Sequence, residues 1–134
     1  MGTGMKLVLV DDHAATRAEM VSLIARNPDM EVVAQSDTGE DAIEMVRRFT
    51  PDMVIMDIVL PGITGVEATA TIVRELPKTR IVALSNHGGR NLVQAFLKAG
   101  GKGYVRKDRA FEELVPAIRA VWAGEGFQGQ HVMD

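Results

Sequence analysis

Short apolar runs alternate along the chain with longer segments in which apolar residues recur at helical spacing. The alternation predicts five strands, because each run has strand length and ends in polar or turn residues. They are KLVLV (6–10), EVVAQ (31–35), DMVIMD (52–57), RIVALS (80–85) and GYV (103–105). Regular alternation of strands and helices is typical of a parallel sheet covered by helices on both faces. We therefore predict an α/β fold.

Two of the helical segments carry recognisable N-terminal signals. Thr38 is a predicted N-cap with Asp41 three residues later, and Thr64 with Glu67 forms a predicted capping box. These pairs satisfy backbone N–H groups that the first turn of a helix leaves without partners. We expect the second and third helices to begin at these positions.

The fourth helical segment, RNLVQAFLKAGG, contains more apolar residues than one buried face needs. They fall into two stripes, one of Leu92, Phe96 and Ala99 and one of Val93 and Leu97. A surface helix buries a single stripe, so we predict that the other stripe faces outward and marks a partner surface. The alternative is a wide helix buried on both stripes.

Composition restricts the chain to a few classes of protein. Its 134 residues, 46% hydrophobic and 25% charged, suit one compact domain. The absence of cysteine excludes disulfides and thiolate metal sites and agrees with a reducing cytoplasm, where we expect the protein to lie. A formal net charge of −3 argues against direct binding of nucleic acid. Because no apolar stretch approaches about 20 residues, we expect no membrane anchor.

Polar side chains follow four of the five predicted strands where those strands end. They are Asp11 and Asp12 after the first, Asp57 after the third, Ser85 and Asn86 at the fourth, and Lys107 after the fifth. The carboxyl ends of parallel strands meet at one crevice, so we expect these groups to converge. Three carboxylates repel one another unless a cation neutralises them, and oxygen ligands of this type suit Mg²⁺. A lysine and a hydroxyl facing them predict an anion on the metal, and we expect that anion to be a phosphoryl group carried by Asp57.

Each of these residues also has an ordinary structural interpretation. An aspartate after a strand commonly caps a helix, Ser85 could be a turn hydroxyl, and Lys107 could be a solvated charge. Their convergence at one crevice favours the functional interpretation. His13 and His87 are expected to flank the site and not to bind the metal.

Four segments together resemble the receiver domain of bacterial two-component response regulators: LVLVDDH, VIMDIVLPGITGVEAT, IVALSNH and KGYVRKD. The motifs DDH, LSNH and ELVPAIRAVWAGEGF are most similar to receivers of the LuxR or NarL type. The resemblance implies a flavodoxin-like (βα)5 three-layer sandwich with a five-stranded parallel sheet in the order 2-1-3-4-5. It also implies a receiver domain over residues 5–127, a disordered lead-in at 1–4, and the start of a linker or C-terminal tail at 128–134.

The resemblance assigns a role to each candidate residue. Asp57 is then the acceptor of a phosphoryl group from the histidine of a sensor kinase. Mg²⁺ is bound by Asp12 directly, by Asp11 largely through water, by Asp57 and by the backbone carbonyl of Val59. Lys107 and the Ser85 hydroxyl contact the phosphoryl oxygens, and Tyr104 is a switch residue that turns inward as Ser85 moves.

The resemblance also implies an output surface. We expect a phosphorylation-dependent homodimer formed by the fourth helix, fifth strand and fifth helix. No helix-turn-helix pattern follows Gly126, so DNA binding is expected only through an output domain outside this chain.

The sequence leaves two alternatives to a phosphorylated receiver. One is a degenerate receiver that acts by protein contact without phosphorylation, although all the key groups are present. The other is a phosphatase with an aspartate nucleophile. Such phosphatases usually carry a second aspartate two residues after the nucleophile, where this sequence has Val59. We therefore expect no enzymatic turnover beyond self-catalysed phosphoryl transfer to Asp57 and hydrolysis from it.

Overall fold

A computed structural model describes residues 4–134 of the chain. Of the predicted lead-in at 1–4, residues 1–3 lie outside the described part. Among residues 4–134 the strands are β1 (Met5–Val10), β2 (Met30–Ser36), β3 (Met53–Met56), β4 (Arg80–Ser85), β5 (Gly103–Arg106) and β6 (Phe127–Gln128). The helices are α1 (Ala14–Ala25), α2 (Gly39–Phe49), α3 (Gly65–Glu75), α4 (Arg90–Lys98) and α5 (Ala110–Trp122), with a 3₁₀ turn at Lys107–Arg109.

Within the described residues the sheet has six strands in the order β2-β1-β3-β4-β5-β6, and all the pairings are parallel. The predicted α/β flavodoxin-like architecture is confirmed, but the prediction of five strands is wrong. The additional strand, β6, has only two residues and pairs Phe127 with Gly103 and Gln128 with Tyr104. It lies at the boundary between the predicted domain and the predicted tail, where no alternating pattern marks a strand.

The core is split into two layers by the sheet. Successive residues of β1 point to opposite faces, with Leu7 and Leu9 in one layer and Val8 and Val10 in the other. The first layer contains the buried faces of α1 and α5, and the second contains those of α2, α3 and α4. Because helices cover both faces, the central strands β3 and β4 are continuously apolar except at the two ends of β4.

Both predicted N-caps are present. The Thr38 hydroxyl accepts a hydrogen bond from the Asp41 N–H at 3.0 Å. Thr64 and Glu67 form the reciprocal capping box, with N–H to oxygen distances of 3.1 and 2.9 Å. These caps fix where α2 and α3 begin and so fix the length of the loops that precede them.

Helix α4 buries neither of its two predicted stripes as a whole. Val93 and Phe96 are buried, one residue from each stripe, whereas Leu97 is 44% exposed and Leu92 is half-buried. The buried pair is spaced i, i+3, and Phe96 packs edge-on against Tyr104 of β5. An outward apolar position therefore exists, but it is Leu97 and not a whole stripe.

Within residues 4–134, no helix is long and apolar enough to cross a membrane.

Candidate functional site

Asp57 lies immediately after β3, in the middle of the sheet. Its N–H donates to the Val10 carbonyl at 3.0 Å, and the residue is 3% exposed. The following loop folds back so that the Gly65 N–H donates to the Ile58 carbonyl at 2.8 Å. A Cβ atom on Gly65 would overlap the Asp57 carbonyl oxygen, so this close return needs glycine. The carboxylate is thus held at the carboxyl edge of the sheet.

The partner of the Asp57 carboxylate is Lys107. Its Nζ lies 2.9 Å from Asp57 Oδ2 and 2.7 Å from Asp11 Oδ2. Lys107 is the first residue of the 3₁₀ turn after β5, and its side chain is only 10% exposed. One ammonium group therefore bridges two buried carboxylates, which accounts for an ionisable side chain at the end of an apolar strand.

Burial and charge act in opposite directions on this group of residues. Burial raises the pKa of Asp57 and outweighs the opposing effect of Lys107, and the neighbouring Asp11 raises it further. Burial alone would lower the pKa of Lys107, but hydrogen bonds to Asp11 and Asp57 raise it above its usual value. Lys107 therefore stays charged at neutral pH, while ionised Asp57 is held at a free-energy cost. A further positive charge near Asp57 would reduce that cost.

The acidic residues form a cluster that fits a divalent cation. Asp11, Asp12, His13 and Asp57 each offer one ligand atom, and these atoms lie within 4.8 Å of one another. The His13 N–H donates to Asp11 Oδ1 at 2.8 Å, and His13 Nδ1 lies 3.1 Å from Asp12 Oδ1. Three carboxylates with one imidazole at the exposed edge form a donor set dominated by hard oxygen atoms.

A cavity of about 110 Å³ opens beside the carboxylates. It is lined by Asp12, His13, Asp57, Val59, Asn86, His87 and Lys107. The structure therefore brings Asp12, Asp57, Val59 and Lys107 together as the sequence predicted. Asp11 joins them through Lys107, and His13 and His87 line the same cavity, with a ring nitrogen of His13 close to the carboxylates.

Ser85 and Tyr104 do not line the cavity, and both are buried next to it. The Ser85 Oγ accepts a hydrogen bond from the His87 N–H at 3.0 Å, and the Tyr104 hydroxyl donates to the His87 carbonyl at 2.8 Å. Burial raises the pKa of Tyr104 to about 12, with the Ser85 hydroxyl opposing the rise and the Asp57 charge adding to it. The phenol is therefore neutral and points inward.

The main chain of His87 is a part of the site that the sequence did not reveal. It contacts both predicted switch residues, Ser85 through its N–H and Tyr104 through its carbonyl. Backbone contacts of this kind have no signature in residue type.

Comparisons with known proteins identify the family of this chain. A family model described as the response regulator receiver domain matches residues 7–119. The transcriptional regulatory protein DegU of Brevibacillus brevis is 34% identical, over 92% of this chain and 52% of its own length. The response regulator GacA of Pseudomonas aeruginosa is 36% identical, over 92% of this chain and 58% of its own length.

A solved structure shares both fold and sequence. The crystal structure of a LuxR-family two-component response regulator from Aurantimonas sp. SI85-9A1 superposes with a TM-score of 0.92 at 36% identity, over 96% of this chain and 92% of the other. The present chain spans about half the length of the curated relatives it matches. The match over residues 7–119 shows that the chain belongs to the receiver domains of response regulators, and the solved relative is a LuxR-family two-component response regulator.

Proposed function

We propose that this domain accepts a phosphoryl group on the carboxylate of Asp57. An Asp57 oxygen attacks phosphorus and forms the O–P bond of an acyl phosphate. The P–N bond of a phosphohistidine donor breaks, and its electron pair returns to the imidazole nitrogen, which takes up a proton. In a separate hydrolysis step a water attacks phosphorus and gives up a proton, and the O–P bond to Asp57 breaks with its electron pair returning to the carboxylate, so that the products are inorganic phosphate and the Asp57 carboxylate.

The single observation that carries this proposal is the Lys107 bridge between Asp57 and Asp11 at the wall of an open cavity. Lys107 contacts one oxygen of Asp57 and, at the same time, the carboxylate of Asp11. When Asp57 becomes an acyl phosphate, the ammonium group can follow the new oxygens without leaving the site uncompensated. The hydroxyl of Ser85, at the end of β4, can donate to one of these oxygens.

The residues present fit Mg²⁺. Asp11, Asp12, Asp57 and the backbone carbonyl of Val59 would hold it, and when bound it supplies positive charge opposite the phosphoryl oxygens. Asp12 is the most exposed of the three carboxylates and accordingly the one best placed to exchange water for a metal ion. His13 stays outside this ligand set in the proposal.

Receiver domains of response regulators interact with histidine kinases, and we propose a sensor histidine kinase as the donor here. Curated relatives of this chain are named as regulators, one of them a transcriptional regulatory protein. We propose by analogy that the phosphorylated domain controls a DNA-binding output domain outside this chain, and that it acts in the cytoplasm.

We also propose that the domain forms a homodimer through α4, β5 and α5, with α4 making the main contact. The outward side of α4 carries the exposed Leu97 beside a groove lined by Asn91, Gln94, Ala95 and Lys98. The edge of β5, in contrast, is already paired with β6. A second copy would therefore meet α4 more directly than β5.

Intact-mass measurement tests the chemistry. After incubation with acetyl phosphate and Mg²⁺, the protein should gain one phosphoryl group, and Asp57→Asn should gain none. Asp37→Asn, which removes the same charge at an exposed position, is the matched control and should be modified like the wild type. An unmodified wild type, or a fully modified Asp57→Asn, would contradict the proposal.

A further inference from the structure

Residues 127–134, called the tail below, follow α5 and pack back on the domain. Its first part is β6, and beyond β6 the Gly129 N–H donates to the Tyr104 carbonyl at 2.9 Å. Together these contacts extend the sheet beyond β5. The tail therefore binds the main chain of Tyr104, the residue whose hydroxyl donates to the His87 carbonyl.

The second contact of the tail is with the loop between β4 and α4. Val132 is fully buried in the same core layer as Val93, Phe96 and Tyr104, and its carbonyl accepts a hydrogen bond from the Gly89 N–H at 2.7 Å. A Cβ atom on Gly88 would lie 2.6 Å from the Val132 carbonyl oxygen. The loop can accept the tail this closely only with glycine at that position.

The third contact is with α5. Glu113 is buried, and its Oε2 accepts a hydrogen bond from the Gln130 N–H at 3.1 Å. A Cβ atom on Gly129 would overlap Glu113 Oε1. The tail thus occupies a socket whose walls are β5, α5 and the β4–α4 loop, and it donates there to one oxygen of a buried carboxylate.

This socket shares a wall with the candidate phosphorylation site. The loop that binds Val132 begins with Asn86 and His87, which line the cavity beside Asp57. His87 also donates its N–H to Ser85, which leaves the Ser85 hydroxyl proton available for an acceptor. One short loop therefore contacts the tail, the tyrosine and the serine.

We propose that the tail is an intramolecular ligand of this socket and that its docking is coupled to the phosphoryl group on Asp57. Docking holds the β4–α4 loop and inward Tyr104 in the arrangement that leaves Ser85 ready to donate, so the two events strengthen each other. The signal then leaves the domain through the tail, into whatever it connects to. The inference rests on the proposed phosphorylation of Asp57.

Amide hydrogen exchange with beryllofluoride, a stable mimic of the phosphoryl group, tests the coupling on the full chain. In the presence of Mg²⁺, beryllofluoride should increase the protection of two amides. The Gly89 N–H donates to the Val132 carbonyl of the tail, and the Gly129 N–H of the tail donates to the Tyr104 carbonyl. Val132→Glu should detach the tail and weaken beryllofluoride binding, measured by NMR titration, by roughly fivefold or more. Gln128→Glu, the same charge change at an exposed tail residue, should bind like the wild type.

The protected amides of Leu9 and Ile55, in the central strands, report whether each variant is folded. If they lose protection in Val132→Glu, the comparison is made with the milder Val132→Ala. Equal beryllofluoride affinity in the wild type and the tail variant, or tail protection that stays the same or falls, would overturn the coupling while leaving phosphorylation intact. Failure of the wild type to bind beryllofluoride would overturn the proposed function and the coupling together.

Discussion

Lys107 Nζ lies 2.9 Å from Asp57 Oδ2, an ion pair between residues fifty positions apart in the sequence. Both side chains are almost completely buried, so the pair is shielded from solvent. Removing one member of such a pair leaves the other charge buried without compensation, which costs more than losing a surface ion pair. The pair therefore makes the site sensitive to substitution even without a ligand.

Lys107→Met keeps most of the side-chain volume but leaves Asp11 and Asp57 facing each other without a cation. We expect the free energy of unfolding at neutral pH to fall by about 3 kcal/mol, measured by urea denaturation. Lys102→Met, at an exposed position near the start of β5, should change it by less than about 0.5 kcal/mol. Equal effects of the two substitutions would mean that the bridge contributes nothing to stability.

The raised pKa of Asp57 makes a prediction about pH. A carboxyl group whose pKa is higher in the folded protein than its ordinary 3.8 favours folding when protonated, and this contribution is lost as pH rises through the folded-state pKa. Asp57→Asn cannot ionise, so its stability relative to the wild type should increase as pH rises from about 4. Asp37→Asn should show no such trend. If the wild type instead becomes more stable relative to Asp57→Asn as pH rises, the pKa of Asp57 is lowered in the folded protein and not raised.

Comparing Asp12→Ala with His13→Ala tests which of these adjacent residues binds the metal. Loss of this carboxylate should weaken Mg²⁺ binding roughly tenfold or more, measured by calorimetry, since even indirect partners of a bound metal contribute that much. It should also raise the stability of the metal-free protein, because repulsion among three carboxylates is relieved. His13→Ala should leave Mg²⁺ affinity almost unchanged. The opposite ranking of these two variants would place His13 in the ligand set and remove Asp12.

Val93 and Leu97 of α4 test the outward surface of that helix. Val93→Asp places a charge in a fully buried position and should destabilise the protein by several kcal/mol. Leu97→Asp should leave stability within about 0.5 kcal/mol of the wild type but prevent dimerisation of the beryllofluoride complex, measured by sedimentation. If Leu97→Asp still dimerises, the interface lies on another surface. If it unfolds, Leu97 belongs to the core.

Much of this fold could be predicted because its central strands are buried on both faces. Their apolar runs are unambiguous, and polar residues such as Asp57 stand out where the runs end. β6 could not be predicted because its two residues pair only through tertiary contact with β5, in a glycine-containing stretch without alternation. The burial of α4 was also mispredicted, because the angle at which a helix meets a sheet decides whether Val93 packs with Phe96 or with Leu97.

The candidate site shows the same division. Convergence of the aspartates and Lys107 followed from strand polarity alone, because parallel strands deliver their carboxyl ends to one edge. The double contact of Lys107 with Asp11 and Asp57 depends on the conformation of a long flexible side chain, and the contacts of His87 are made by its main chain. Neither is encoded in residue type or spacing.

Borohydride trapping tests the central claim most directly. Borohydride reduces the acyl phosphate of an aspartate to homoserine, so the modified position can be identified by sequencing peptides of the protein treated with acetyl phosphate and Mg²⁺. The account predicts homoserine at position 57 in the wild type and none in protein that was not exposed to the phosphodonor. Homoserine at another aspartate, or a phosphoryl group that survives borohydride on a serine or threonine, would contradict it.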